Sequence, residues 1–473
     1  MNGPNNLQES IKINSKNLQI FIMKPSKISN DQAHLFKNRL SNQINMRHEL
    51  VILSKVINWD ALEAEIGSLH EDTVKGGQPP KPVRLMVGLL LLEYLKNLSD
   101  EEVVRSWVEN PYWQYFCGYD FLQLEMPIDS SSLTRWRNRL GPEKLEKILG
   151  MSVKAAVDTG VIKQEELKTV IIDTTVMPKN IAFPTDTKLL DKSRKRLIKL
   201  ASENEIELRQ NYNRITKDLL RQIGGYLHAK QMKRAKKAQK KLKTIVGRVV
   251  RDCERKIAGN VNLELLFQNE LKNAHHLLTR KMTDKNKLYS LHEESVECIA
   301  KGKVHKRYEF GCKVSLSITH KGKGVVTSSH ALHGNPFDGH TLKAAIDKSA
   351  EITGIAVLKA FVDKGYKGHG VEGAQVFING QRKGITKIIK KQMKRRQAIE
   401  PHIGHMKNEG KLGLCRLKGV AGDEIHAILV GAAYNIRLVL NHLRAILVQI
   451  LLMITWMKIN IEKNREGRNG AAA

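Results

Sequence analysis

At 473 residues the chain is too long for one average domain. Its 41% hydrophobic and 27% charged residues exclude an apolar-poor disordered protein. Lysine and arginine number 79 against 48 aspartates and glutamates, and a net charge of +31 exceeds what solubility requires. A polyanion is the natural partner, and nucleic acid fits best because dense phosphates reward such a surplus through counterion release; a membrane surface would want the charge gathered on one amphipathic helix.

The five cysteines are scattered, form no C-x-x-C pair and read as free thiols in a reducing cytosol. The opening residues MNGPNNLQES lack the apolar core of a secretion signal, so the expected location is cytoplasmic, beside the nucleoid. Residues 1–46 are polar and without sustained periodicity, which predicts a flexible N-terminal tail. From 47 to about 150 the pattern is helical. Pro82–Asn97 is one helix, and Ser99 with Glu102 forms a capping box for the next. An aromatic cluster at Tyr112, Trp113, Tyr115 and Phe116 reads as core. Ser130–Leu140 then reads as a Ser-capped helix carrying Arg135, Arg137 and Arg139, candidates for DNA-phosphate contact in a helical DNA-binding domain.

Near Lys168 the pattern changes to strand: Thr169–Thr174 (TVIIDT) is short, β-branched and apolar, and carries Asp173. Residues 188–257 hold 22 basic against 7 acidic residues and read as long helices broken near Gly224 and Gly225. With the stretch to about 300 they form a basic helical insertion. Strand pattern resumes at Tyr308–Phe310 and Lys313–Thr319, and a Lys-Gly-Lys-Gly turn makes a hairpin with Val325–Leu332. His340–Ile352 reads as helix and Ile355–Val362 as a strand ending at Asp363. Ile388–Asn408 is helical with a kink or restart at Pro401, just after Glu400. The last segment, from Asp423 to about Lys458, is apolar helix. Its most apolar run, Ala445–Met457, is shorter than the roughly 20 residues needed to span a bilayer, so no membrane partner is expected.

A strand with Asp, an insertion, a hairpin, a helix, a strand with Asp and a helix with Glu follow the order of an α/β, ribonuclease H-like catalytic core. That core is placed at 165–447, interrupted by 188–300, with 448–473 as C-terminal helix and tail. An acid on an apolar strand is costly unless it meets a cleft or a cation. Asp173, Asp363 and Glu400 together offer hard oxygen ligands for Mg²⁺, with Mn²⁺ as a substitute, and two such ions about 3.5 to 4 Å apart suit in-line phosphoryl displacement. Taken singly, either aspartate is equally well explained as a turn-forming residue. His330, His333 and His340 lack compact ligand spacing, and a metal site there is set aside.

Several blocks resemble the DDE transposases of bacterial insertion sequences: VIIDTTVMPKNIAFPTDTKLL, YEFGCKVSLSITHKG, GNPFDGHTLKAAI, FVDKGYKGH and KRRQAIEPHIGHMKNEGKLGLCRLKG. The resemblance implies that Asp173, Asp363 and Glu400 are the metal-binding triad. It also implies a ribonuclease H-like core that cuts, a helical N-terminal domain that binds terminal inverted repeats, and a homodimer joining two DNA ends in a synaptic complex. Arg396, four before Glu400, and Lys407, seven after it, match the Tyr-Arg-Glu-Lys signature of related transposases and are the expected phosphate clamps. The signature's Tyr is Met393 here. Competing readings are a non-catalytic DNA-binding protein, such as an inactive transposase or a repressor, and a recombinase with a covalent Tyr or Ser intermediate; the latter lacks supporting His residues.

Overall fold

The computed structural model describes residues 38–67, 80–281, 283–300, 307–382 and 384–469, with side chains to 460. Residues 1–37 of the expected tail lie outside that range. Residues 38–46 are not tail-like. Leu40 is buried, its N–H donates to the Asp120 carbonyl at 2.7 Å, and Arg39 bridges to Phe121.

Among the described residues the N-terminal module holds seven helices: α1 (Leu40–Gln43), α2 (Glu49–Val56), α3 (Trp59–Gly67), α4 (Val83–Lys96), α5 (Asp100–Glu109), α6 (Pro111–Phe116) and α7 (Ser131–Asp158). The predicted capping box is present, with Ser99 and Glu102 each accepting the other's backbone N–H. At the start of α7 it is Asp129, not Ser130, that accepts the Ser131 N–H at 2.9 Å. Gly141 then takes φ 68°, a left-handed value that breaks α7 just before Pro142.

Strand β1 (Thr169–Pro178) leads into the insertion: α8 (Asp186–Glu203), α9 (Asn213–His228), α10 (Met232–Ile257) and α11 (Val261–Thr279). These helices enclose a core of their own, including Leu190, Leu197, Leu242, Val246, Val250 and Phe267. Contrary to expectation α9 runs through Gly224 and Gly225, because its buried face of Thr216, Leu219 and Ile223 holds it helical. On α10 the residues Ala238, Leu242 and Ile245 face that core, while Lys233, Lys236, Lys237, Lys240 and Lys241 are exposed.

The chain returns through β2 (Glu297–Ala300), β3 (Tyr308–Thr319), β4 (Val326–Leu332), α12 (Asp338–Thr353), β5 (Lys359–Val362) and β6 (Gln375–Ile378). The two predicted pieces at 308–319 are one strand, and β2 and β6 were not anticipated. β1 is central in a mixed sheet, antiparallel to β3 and parallel to β5, which is parallel to β6; the far edge of β3 is shared by β2 and β4. α12 covers one face, packing Leu342, Ala345 and Ile346 on Val170, Ile172, Ala360 and Val362.

The other face, with Ile171, Leu316, Ile318 and Phe361, is covered by α14 (Ile399–Asn408) and α15 (Gly419–Asn469), after α13 (Lys387–Lys394). This core continues into the N-terminal module, so α4, α7 and this face of the sheet share one hydrophobic interior, while the insertion packs around its own. The expected boundary at 447/448 falls inside α15, which is unbroken there. By length and composition α15 is apolar enough to cross a membrane. Ile425, Ile428, Leu429, Ile436, Val439 and Leu443 are nevertheless in the protein core, whereas Leu451, Leu452, Met453 and Trp456 are exposed.

Candidate active site

Strand register brings the two aspartates together. Ile171 and Phe361 are partners in the parallel β1/β5 ladder and enter the same core. Side chains alternate along a strand, so the residues two further on, Asp173 and Asp363, share that face. Contrary to the expectation of a strand end near Thr174, β1 continues past Asp173 to Pro178. The neighbour ends instead. β5 stops at Val362 and its pairing with β1 at Phe361, which leaves an open edge where Asp173 meets solvent.

Glu400 arrives from the opposite direction. Thr386 caps α13 by accepting the Ile389 N–H at 3.3 Å, and Arg395–Ala398 forms a tight 3₁₀ turn leading into α14. The break precedes Pro401, which lies in the first turn of α14, where a missing N–H costs nothing. Ile399 is buried, and Glu400 points outward with two thirds of its side chain exposed.

Arg396 joins the three acids. Its Nη1 lies 3.5 Å from Asp173 Oδ2, and its Nη2 lies 3.9 Å from both Asp363 Oδ1 and Glu400 Oε1. The side chain is 8% exposed, and its Nε has no hydrogen-bond partner. The expected phosphate clamp is therefore corrected: Arg396 is turned inward because three carboxylates surround it. Lys407 is also turned inward, its ammonium donating to the Val176 carbonyl at 2.7 Å. That bond fixes α14 against β1, the strand that carries Asp173.

Burial pushes the Asp173 carboxyl up to about 6, against the Thr174 N–H bond and Arg396, which favour its ionised form; Asp363 and Asp338 add to the rise. Asp338 was missed by sequence reasoning. It opens α12 in the GNPFDGH block, accepts from Thr174 Oγ1 at 3.1 Å and pairs with Lys313 at 3.1 Å. Tyr366, from the KGYKGH block, is also new: its hydroxyl is buried without a partner, and burial followed by the Asp173 charge raises it far above the ordinary phenol range. The signal was present in both cases, as a polar residue inside a quoted block.

The donor set fits divalent cations. Four carboxylates face one arginine and one lysine, in a protein whose overall balance is strongly positive. Hard oxygen ligands with an open side are what Mg²⁺ or Mn²⁺ accepts when phosphate completes its shell. The three predicted acids are spread around the guanidinium, and among the described residues they do not close to the 4.8 Å spacing of a compact single-ion cage.

Around this site the predicted basic residues divide. Arg135 and Arg139 are exposed on α7. Arg137 is 2% exposed, donates to Glu93 Oε2 at 2.8 Å and pairs with Asp100, so its expected role at phosphate is corrected. Leu133, Trp136 and Leu140 are buried with it, on the helical face that i, i+3, i+4 and i+7 define. Lys390, Lys391, Lys394 and Arg395 are exposed beside the acids. Of the three histidines, His340 is exposed against the ring of Phe337, and His330 is buried with neither ring nitrogen bonded.

A helical N-terminal module thus shares its core with a mixed sheet that gathers three acids on one arginine. Residues 38–139 match the transposase domain DUF772. The chain is also 46% identical over 209 residues to the uncharacterized protein ORF8 in the nfe locus of Rhizobium meliloti, a match covering 44% of this chain and all of that protein. The N-terminal module thus carries a transposase-family domain, and the chain shares a family with that uncharacterized protein. No solved structure matches it.

Proposed function

We propose that this protein is a DDE transposase that binds the terminal inverted repeats of its insertion sequence, cuts the DNA and joins the freed ends to a target. The observation that carries the reading is the convergence of Asp173, Asp363 and Glu400 on Arg396 from two strands and a helix distant in sequence. The strand order supports a ribonuclease H-like core, since an antiparallel hairpin flanks β1 on one side and parallel strands on the other.

Asp173, Asp363 and Glu400 would hold two Mg²⁺ or Mn²⁺ ions, which when bound supply a Lewis acid for the attacking oxygen and for the leaving oxygen of DNA. The protein's part is placement. β1 and β5 fix the two aspartates in register, Lys407 holds α14 against β1, and Arg396 offsets acids that would otherwise repel one another. Asp173 must be ionised to act as ligand; burial opposes that charge, and a cation beside it would favour it.

DNA would lie across the exposed basic surface: Arg135 and Arg139 on the N-terminal module, Lys390, Lys391, Lys394 and Arg395 beside the acids, and the lysines of α10. Phosphate contacts of this kind position the duplex and carry little sequence information. Synapsis of two ends calls for a homodimer acting on double-stranded DNA in the cytoplasm. The test is cleavage of DNA bearing the element ends by purified protein with Mg²⁺, beside the Asp363→Ala variant and an EDTA control. Metal-dependent cuts that vanish in the variant establish the reading. Tight binding without cuts establishes instead the second reading, a non-catalytic DNA-binding protein, to which the same basic surface lends itself.

A further inference from the structure

A second polar cluster lies along β3, away from the acids. Cys312 pairs with Met177, four residues along β1 from Asp173, or roughly 13 Å at the rise of an extended strand. The Cys312 Sγ, a ring nitrogen of His333 and a carboxylate oxygen of Asp423 all lie within 4.8 Å of one another. His333 follows β4 and Asp423 is in the first turns of α15, so three separate segments meet there. Cys312 and Asp423 are buried.

The hydrogen bonding of this cluster is incomplete. His333 Nε2 is buried without a hydrogen-bond partner and faces Asp423 Oδ2 at 3.7 Å. Asp423 spends its other oxygen on Lys179, whose ammonium lies 2.6 Å from Oδ1. On the far side of the ring, Nδ1 lies 4.0 Å from Glu297 Oε1, and Glu297 Oε2 is buried without a partner. An imidazole with one nitrogen turned to a carboxylate and the other to open ligand atoms is the arrangement that orients a metal-bound histidine. Charge points the same way: Asp423, Glu293 and Glu297 outnumber Lys179, which pairs with the first two. Cys415, buried beside the Asp423 carboxylate, adds a second thiol.

We propose that Cys312, His333 and Asp423 form a structural site for a borderline-soft divalent cation of the zinc type, with Cys415 as a fourth donor. Thiolate, imidazole and carboxylate together select such an ion over Mg²⁺. On binding, the Cys312 S–H bond breaks, its proton leaves to solvent, and the sulfur lone pair forms the bond to the metal; no electron is transferred. The ion ties the start of α15 to β3 and to the turn after β4, beside the acidic segment through which the insertion returns. It stands apart from the acid cluster, whose ligands are all oxygen.

The full-length protein, expressed in zinc-supplemented medium and freed of loose metal by gel filtration, is measured for zinc by elemental analysis. A metal-stripped sample is then titrated with Co²⁺ and its near-ultraviolet thiolate-to-cobalt charge-transfer absorption recorded. The proposal expects one equivalent of zinc and a charge-transfer band in the wild type and in Asp363→Asn, both lost in Cys312→Ser and His333→Asn. Should those two variants fail to fold, the wild-type cobalt spectrum decides, because an all-oxygen site gives no thiolate band. Folded wild-type protein that retains no zinc and shows no such band overturns the proposal and leaves His333 beside its carboxylates without a metal. Zinc lost in Asp363→Asn but kept in Cys312→Ser overturns it equally.

Discussion

Arg396 lies closer to Asp173 than to either of the other two acids, 3.5 Å against 3.9 Å, yet its guanidinium touches the orbit of all three. A planar fork can face several carboxylates at once, which a lysine ammonium on its flexible stem does not reproduce. Arg396→Gln and Arg396→Lys should therefore both slow metal-dependent cleavage, by roughly 100-fold for the loss of one preorganised charge at a reacting centre. Affinity for DNA should stay within about threefold, since on the proposed reading binding would rest on many exposed cations. Single-turnover cleavage at saturating DNA checks this, and an unchanged rate in Arg396→Gln would remove the residue from the cutting machinery.

Asp173→Asn should separate activity from stability. Burial makes the carboxylate costly in the apo protein, as its displacement to about 6 records, and an amide of the same shape carries no charge to desolvate. The variant should not cut DNA. In EDTA at neutral pH it should be as stable as the wild type or more so, by on the order of 1 kcal/mol, the usual sign when a strained functional group is removed. Urea unfolding measures it, and a clear loss of stability would mean that Asp173 helps to hold the sheet together.

Much of this arrangement was legible in the chain. The apolar strands around Asp173 and Asp363, the hairpin, the Ser99 capping box and the helical insertion follow from periodicity and turn chemistry, which are local. What was missed depends on contacts between distant segments. β2 and β6 are four residues each, too short to show alternation, and exist because β3 and β5 offer them an edge. The inward turn of Lys407 needs the Val176 carbonyl, 231 residues earlier. His333 was set aside because the three histidines lack compact ligand spacing; the groups that lie near it, Cys312 and Asp423, are distant in sequence, and no spacing rule links them. The burial of Arg137 is a different case, because its place between Leu133, Trp136 and Leu140 could have been read from the 3.6-residue period.

That helix supplies a direct contrast. Arg135→Ala with Arg139→Ala removes two exposed cations, and should weaken DNA binding uniformly across sequences and lower the slope of log affinity against log salt by about 2. Arg137→Ala should instead destabilise the protein by about 3 to 5 kcal/mol, because Glu93 is left buried with only Lys411 to offset it. Binding titrations at several salt concentrations and denaturant melts on the same variants distinguish the two roles. An unchanged salt slope in the double variant would place the DNA elsewhere.

His426 links α15 to α4 and fixes a dependence on pH. Its Nε2 lies 2.8 Å from the Lys411 carbonyl, which can only accept, so that nitrogen carries the proton; Nδ1 then accepts from the Tyr94 hydroxyl at 3.0 Å. A neutral ring is fully satisfied there and a second proton has nowhere to bond. Burial lowers its pKa from 6.5 to about 4, with the Lys411 bond opposing the shift. Below 6.5 the unfolded chain takes up a proton that the folded chain refuses, so this stability is complete above 6.5 and is lost as pH falls toward 4. The full effect is up to about 3 kcal/mol, of which about 2 kcal/mol is gone by pH 5. His426→Gln removes the titration. Its deficit relative to the wild type should therefore be largest at pH 7.5 and shrink at pH 5, as measured by urea unfolding at both values. A deficit that does not change with pH would mean that His426 is protonated in the folded protein or contributes only through packing.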